Sequence, residues 1–249
     1  MNTKPNKNLI TKSLSHLFPS SKNAFTLAEV LITLGIIGVV AAMTMPTLVQ
    51  NYKNREVESK LQKIYTVMNQ AIMMSELDNG PKEYWDNTCT AGDETYKDDC
   101  KQNFEKYFLK YLKYSKFEER NTTVGKYYTF NIYLNDGSLL SGGYTNKNSI
   151  DFYFYPKASN AKKNINTYDS EVFIFRFSPT CTTQECKYHY KKGFEPYAWG
   201  VTEYTKEELS ENGRRDYTCN KESLYRLYCT ALIRLNGWKI PKDYPFKVK

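Results

Sequence analysis

The chain has 249 residues, a formal net charge of +8, six cysteines and two histidines. Its length leaves room for one domain of ordinary size with a subdomain, and two histidines give general acid–base chemistry few carriers. There is no nucleophile-elbow Gly-x-Ser-x-Gly, no phosphate-binding glycine loop and no His-Glu zinc motif, so no enzyme is expected.

Residues 1–24 carry Lys4, Lys7, Lys12 and Lys22 and no Asp or Glu, the composition of a leader held on the cytoplasmic side of a membrane. These four lysines account for half of the net charge. The remaining basicity is compatible with nucleic acid or anionic lipid but usually means only a solvated surface, and nucleic acid is an unlikely partner. From Asn23 to Tyr52 the only charged residue is Glu29. An acid at the centre of a membrane helix costs roughly 2.5–3.5 kcal/mol on insertion scales, less near an end, and such acids are rare and usually functional. Helical periodicity runs from Phe25 to Leu77, with Gly35, Gly38 and Pro46 as its weak points. Pro46 cannot donate to the Ala42 carbonyl, so a kink is expected there. Beyond the apolar run, Val57, Leu61, Ile64, Met68, Ile72 and Leu77 recur at helical spacing, an amphipathic continuation that needs a sheet to cover it. Asp78-Asn79-Gly80-Pro81 ends the helix.

The basic leader, Lys22, the small residue Ala24, then Phe25-Thr26-Leu27-Ala28-Glu29, an apolar helix and a later Pro46 together resemble the prepilin-type signal of type IV pilins and type II secretion pseudopilins. The resemblance implies cleavage between Ala24 and Phe25 by a membrane-embedded prepilin peptidase, which also methylates the new amine of Phe25. Where the family usually has Gly, this chain has Ala24, which implies slower processing. The resemblance also gives Glu29 a role in assembly, as the partner of the Phe25 amine of a neighbouring subunit, and it implies a bent helix at Pro46. Stranding one member of a shielded charge pair costs about 3–5 kcal/mol, so Glu29 would set the stagger between subunits. Two other readings of the same stretch stay open: a secretory signal peptide cut after Ala42 in Val40-Ala41-Ala42, and a single-pass anchor that is never cut.

The segment from Pro81 to Arg120 reads as a loop with one short helix near Asn103 to Tyr114, which places Phe104, Tyr107, Phe108, Tyr111 and Leu112 on one face and Lys106, Lys110 and Lys113 in water. Strands follow: Lys126 to Leu134 alternates, Asn135-Asp136-Gly137 turns, and Ser138–Tyr144, Ile150–Tyr155 and Glu171–Phe177 repeat the aromatic, β-branched pattern of an antiparallel sheet. Ser223 to Leu235 is expected as a helix with Leu224, Leu227, Ala231 and Leu235 inward, stopped at Gly237.

All six cysteines follow the apolar helix, where an exported chain meets oxidising conditions. Six cysteines allow 15 pairings, and sequence alone does not choose among them. Neighbours in sequence are the simplest choice: Cys89 with Cys100, Cys181 with Cys186, Cys219 with Cys229. The last pair requires Cys219 to precede the final helix, because ten residues of helix would separate the two by about 15 Å. Cys181-x4-Cys186-x2-His189 could be read as metal ligands, but a closed zinc site needs four, and the other histidine, His16, lies in the leader. No metal and no cofactor is expected; for calcium, known in major pseudopilins, Asp151, Asp169 and Glu171 are oxygen ligands in principle, although the surrounding markers are degraded here.

The expectation is therefore an α+β, pilin-like chain: a leader at 1–24, a transmembrane half-helix at 25–48, an amphipathic half at 49–79, and a disulfide-containing exported domain at 80–249 on an antiparallel sheet. The resemblance implies a structural subunit of a type IV pilus or secretion filament, single-pass in the cytoplasmic membrane with its amino terminus inside and later part of a periplasmic or extracellular filament. Its implied partners are prepilin peptidase, other pilin subunits, an inner-membrane assembly platform and the membrane itself. A minor tip subunit that binds DNA, a surface or secreted cargo is the alternative.

Overall fold

The computed structural model describes residues 25–85, 89, 96–120, 128–146, 149–162 and 168–249. By its internal contacts the chain divides into two units, Met1–Thr47 and Leu48–Lys249. Helix α1, Leu27–Asn79, contributes to both and contains Pro46.

Within the second unit, the buried residues of α1 are Val57, Glu58, Leu61, Ile64, Met68, Ala71, Ile72 and Ser75, one stripe at the i, i+3/i+4 spacing. Leu77, expected on that stripe, is instead 84% exposed. The helix stops where Gly80 adopts φ +77° and donates to the Glu76 carbonyl, a conformation that glycine reaches without a Cβ penalty.

The stripe packs on a six-stranded sheet whose strands lie in sequence order, each antiparallel to the next: β1 (Lys116–Arg120), β2 (Thr129–Tyr133), β3 (Leu139–Asn146), β4 (Ser149–Tyr155), β5 (Phe173–Phe177) and β6 (Glu195–Pro196). Phe130, Ile132, Leu140, Phe152, Phe154, Phe173 and Phe175 form one core cluster with the buried residues of α1. Gly142 of β3 pairs with Phe130 on one side and Phe152 on the other, and a Cβ there would stand 2.6 Å from the Phe130 ring and 3.1 Å from the Phe152 ring. The glycine makes room for two rings that meet edge to face, with centroids 6.0 Å apart.

Two expectations shift here. Helix α2 spans Tyr96–Tyr107 rather than Asn103 to Tyr114, and the chain continues as a 3-10 turn, Leu109–Tyr111. The aromatic face is nonetheless inward: Phe104, Tyr107, Phe108 and Leu112 are buried, Tyr111 is half-buried, and Lys106, Lys110 and Lys113 are exposed. Helix α3 spans only Cys229–Leu235, with Leu224 and Leu235 exposed at 59% and 42%. Arg226, three residues before α3, takes φ +59°, which breaks any longer helix at that point.

Strand β5 is buried along its whole length. Phe173, Phe175 and Phe177 enter the core against α1, whereas Ile174 joins a second cluster with Tyr197, Leu209, Leu227, Tyr228 and Leu232. Three disulfides, Cys89–Cys100, Cys181–Cys186 and Cys219–Cys229, join cysteines in sequence order, with Cα separations of 4.7, 5.9 and 4.7 Å. Cys229 opens α3 and Cys219 lies ahead of it.

Side chains of α1 also hold the loops directly. The Asn69 amide donates to the Phe194 carbonyl at 2.9 Å and accepts from its N–H at 3.0 Å. Tyr65 donates to Glu195 and accepts from Arg234 of α3. Lys63 reaches Asp136 in the β2–β3 turn at 2.7 Å. Burial alone would raise that carboxyl, but Lys63 and the Ser138 hydroxyl and amide outweigh it and bring Asp136 down to about 2.

Candidate processing and assembly site

Residues 25–47 of the first unit are almost wholly exposed: Phe25 at 84%, Leu27 at 77%, Ile37 at 64%. The helix they open is long and apolar enough to cross a membrane. Its start is built by two side chains. Thr26 takes the N-cap position; its Oγ1 accepts from the Glu29 N–H at 3.2 Å, and the Glu29 carboxylate accepts from the Thr26 N–H at 2.8 Å and from its hydroxyl at 2.9 Å. This reciprocal Thr-x-x-Glu box satisfies amides that a helix start otherwise leaves open. Val30 N–H to the Thr26 carbonyl is the first helical bond.

In the sequence Glu29 stands out as an unusual charge; the structure adds its local partner, Thr26. The signal was present: Thr26 followed three positions later by Glu29 and then by an apolar run is the pattern of a capping box. Lys22 and Ala24 lie outside the described residues. Phe25 immediately precedes the cap, so Glu29 Oε2 is bonded one residue short of the Phe25 nitrogen. Around Gly35 and Gly38, apart from the adjoining residues and the helix's own backbone, no atom of the described residues comes within 4 Å of where a Cβ would stand, so no tertiary contact there dictates glycine at either position.

The other sequence candidates lie apart from this segment. Asp151 pairs with Arg176 at 2.9 Å, Asp169 with Arg226, and Glu171 with Lys249 at 3.4 Å. Cys181 and Cys186 are bonded to each other. His189 is fully buried, its Nε2 accepting from the Ala198 N–H at 3.1 Å; burial, with Arg176 and Lys192 adding to it, holds its pKa well below the usual imidazole range. A neutral imidazole fixed as a backbone acceptor is a structural element of the second unit.

An apolar helix opened by Thr26 and Glu29, followed by an amphipathic half on an antiparallel sheet, defines a pilin-like α+β protein with three disulfides. Residues 19–45 match the prokaryotic N-terminal methylation motif, the prepilin-type signal of type IV pilins and pseudopilins. Residues 47–248 match the model described as a family of unknown function (DUF6613), and the chain belongs to that family. No curated protein and no solved structure matches the chain.

Proposed function

We propose that the chain is a structural pilin or pseudopilin subunit that is cut between Ala24 and Phe25, methylated on Phe25, and assembled into a filament through α1. The match of residues 19–45 to the methylation motif carries this reading. The exposed apolar half-helix supports it, because such a surface is stable only in lipid or against other apolar helices. Prepilin peptidase, sister subunits and an assembly platform in the cytoplasmic membrane are the partners this implies, with the amino terminus inside. Glu29 is the residue that would change partners. In the single chain it closes the cap on Thr26, and in a filament it would take the Phe25 amine of a neighbour. Pro46 and the glycines, which weaken the helix, would let it adjust as it packs.

Co-expression with a prepilin peptidase, followed by intact-mass and amino-terminal analysis, is the test. The expected product has lost residues 1–24 and begins with N-methylated Phe25. Cleavage after Ala42 would overturn the reading.

A further inference from the structure

We propose that the carboxyl-terminal strap and the first outer turns of α1 form a binding surface for anionic phospholipid headgroups. The inference rests on the reading that the first half of α1 spans a membrane. From Leu27 to Val49 the helix has 23 residues, about 34 Å at 1.5 Å per residue, which fills a hydrocarbon core of about 30 Å. The next turns, Gln50 to Arg55, therefore fall at headgroup depth. Tyr52, 70% exposed, is the kind of amphipathic ring that settles there.

The strap is held against these turns. Gln50 donates to the Val248 carbonyl at 3.0 Å, and Glu58 receives both the Ile240 N–H and the Lys239 ammonium, at 2.9 and 3.0 Å. Between strap and helix lies an open groove of about 770 Å³. Its walls include Asn51, Asn54 and Arg55 on the helix and Lys242, Tyr244 and Lys247 on the strap.

The charges around it do not cancel. Every nearby acid is already matched: Glu56 with Lys60, Glu58 with Lys239, and Asp243 with Lys206. That leaves Lys53, Arg55, Lys242 and Lys247, which have no ion-pair partner among the described residues. Arg55, Lys242 and Lys247 are exposed and Lys53 is half-buried. Scattered cations of this kind elsewhere on a surface are simply solvated. Here Arg55, Lys242 and Lys247 line one groove, with Lys53 two residues before Arg55 in α1, just past the apolar run, where Lys and Arg work against the inside-positive bias unless lipid phosphates answer them. Phosphate oxygens accept from both ammonium and guanidinium groups, and the neutral amides of Asn51 and Asn54 add donors between them.

Full-length protein in nanodiscs of phosphatidylcholine alone, or mixed with phosphatidylglycerol, tests the proposal by amide hydrogen exchange. Peptides covering 50–55 and 239–249 should exchange at least about fivefold more slowly in the anionic discs, roughly the effect of one cation at a charged surface. Added salt should reverse the difference. Lys242→Glu with Lys247→Glu should remove it without changing the melting temperature, since neither side chain has an ion-pair partner in the fold, and Lys53→Glu with Arg55→Glu should reproduce the loss. Equal exchange in the two lipids overturns the proposal. So does protection of the same peptides by an added DNA duplex in neutral discs with no response to phosphatidylglycerol, which would make this a nucleic-acid surface. Failure of the chain to enter either disc would overturn the membrane reading itself, and the lipid surface with it.

Discussion

Glu29 combines two tasks that substitutions can separate. Gln at the same position keeps the capping box, because its side-chain carbonyl also accepts from the Thr26 N–H, but it carries no charge. Ala loses both functions. Thr26→Val loses the cap and keeps the carboxylate, at a cost of about 1 kcal/mol to the helix start. If the charge pairs with a neighbour's amine, Glu29→Ala and Glu29→Gln should both lower filament incorporation by more than about tenfold, since a stranded buried charge costs about 3–5 kcal/mol. Thr26→Val should then assemble nearly as the parent does. Immunoblots of sheared filament against membrane fractions give the answer. Normal assembly of Glu29→Gln with failure of Glu29→Ala and Thr26→Val would assign the glutamate to the cap alone.

At the scale of elements, strands β2–β4 share one dependency: Phe130 and Phe152 both lean over Gly142. A methyl group at Gly142 would meet the Phe130 ring at 2.6 Å, and that ring is itself held 3.8 Å from the Phe104 ring of α2. Gly142→Ala should therefore destabilise the second unit by about 1–3 kcal/mol, the usual penalty of overpacking. Gly137→Ala is a poor control because Gly137 has φ +77°, so Gly38→Ala, which meets nothing within 4 Å, serves instead. Urea unfolding of the three proteins compares them. An unchanged midpoint for Gly142→Ala would show that the rings have slack. Most of these elements were legible in the sequence. The stripe of α1 and the alternation in β2 and β4 are strong periodic signals, because each buries one regular set of apolar residues, and β5 shows as a short aromatic, β-branched run. Three features were not. Strand β1, Lys-Phe-Glu-Glu-Arg, is an edge strand with four charged residues, and β6 is two residues ending in a proline, so neither shows alternation. The boundaries of α2 and α3 were missed because aromatic spacing marks a face without marking its ends. Phe108 turns out of α-helical geometry at φ −126°, and Arg226 into the left-handed region, with no Gly or Pro to announce either.

Across the whole molecule, the disulfides differ in what surrounds them. Cys219 and Cys229 are 2% and 0% exposed and belong to the cluster behind β5, with ten residues of separation; Cys181 and Cys186 are separated by five, Cys181 half-buried and Cys186 buried, and neither belongs to an apolar cluster. Chain entropy alone would make the two bridges worth nearly the same, about 2–3 kcal/mol each. The paired replacement Cys219→Ser with Cys229→Ser also buries two hydroxyls in an apolar cluster, so it should lower stability clearly more than Cys181→Ser with Cys186→Ser. Chemical denaturation of both double variants measures the difference, and equal losses would place the contribution in loop closure alone. The pairing itself was not legible, since spacing permits it without requiring it. The site was legible only in part: the signal around Glu29 stood out as a charge in an apolar run, whereas the strap from Lys239 to Lys249 has no periodicity to predict where it lies.

The strand order has a consequence for how such a chain reaches its fold outside a membrane. In the proposed topology the amino terminus stays inside, and the residues beyond the membrane half of α1 emerge in sequence order; in this sheet each strand then pairs with the one that emerged just before it. No strand waits unpaired for a distant partner, so the closures are short and each is entropically cheap. The exception is the end. Glu58 and Gln50, among the first outer residues to appear, bond to residues that come much later: Glu58 accepts from Ile240 and Gln50 donates to Val248. Completion of this part of the domain would thereby wait on residues 240–248, and a chain still in transit would leave this part of α1 uncovered until they arrive.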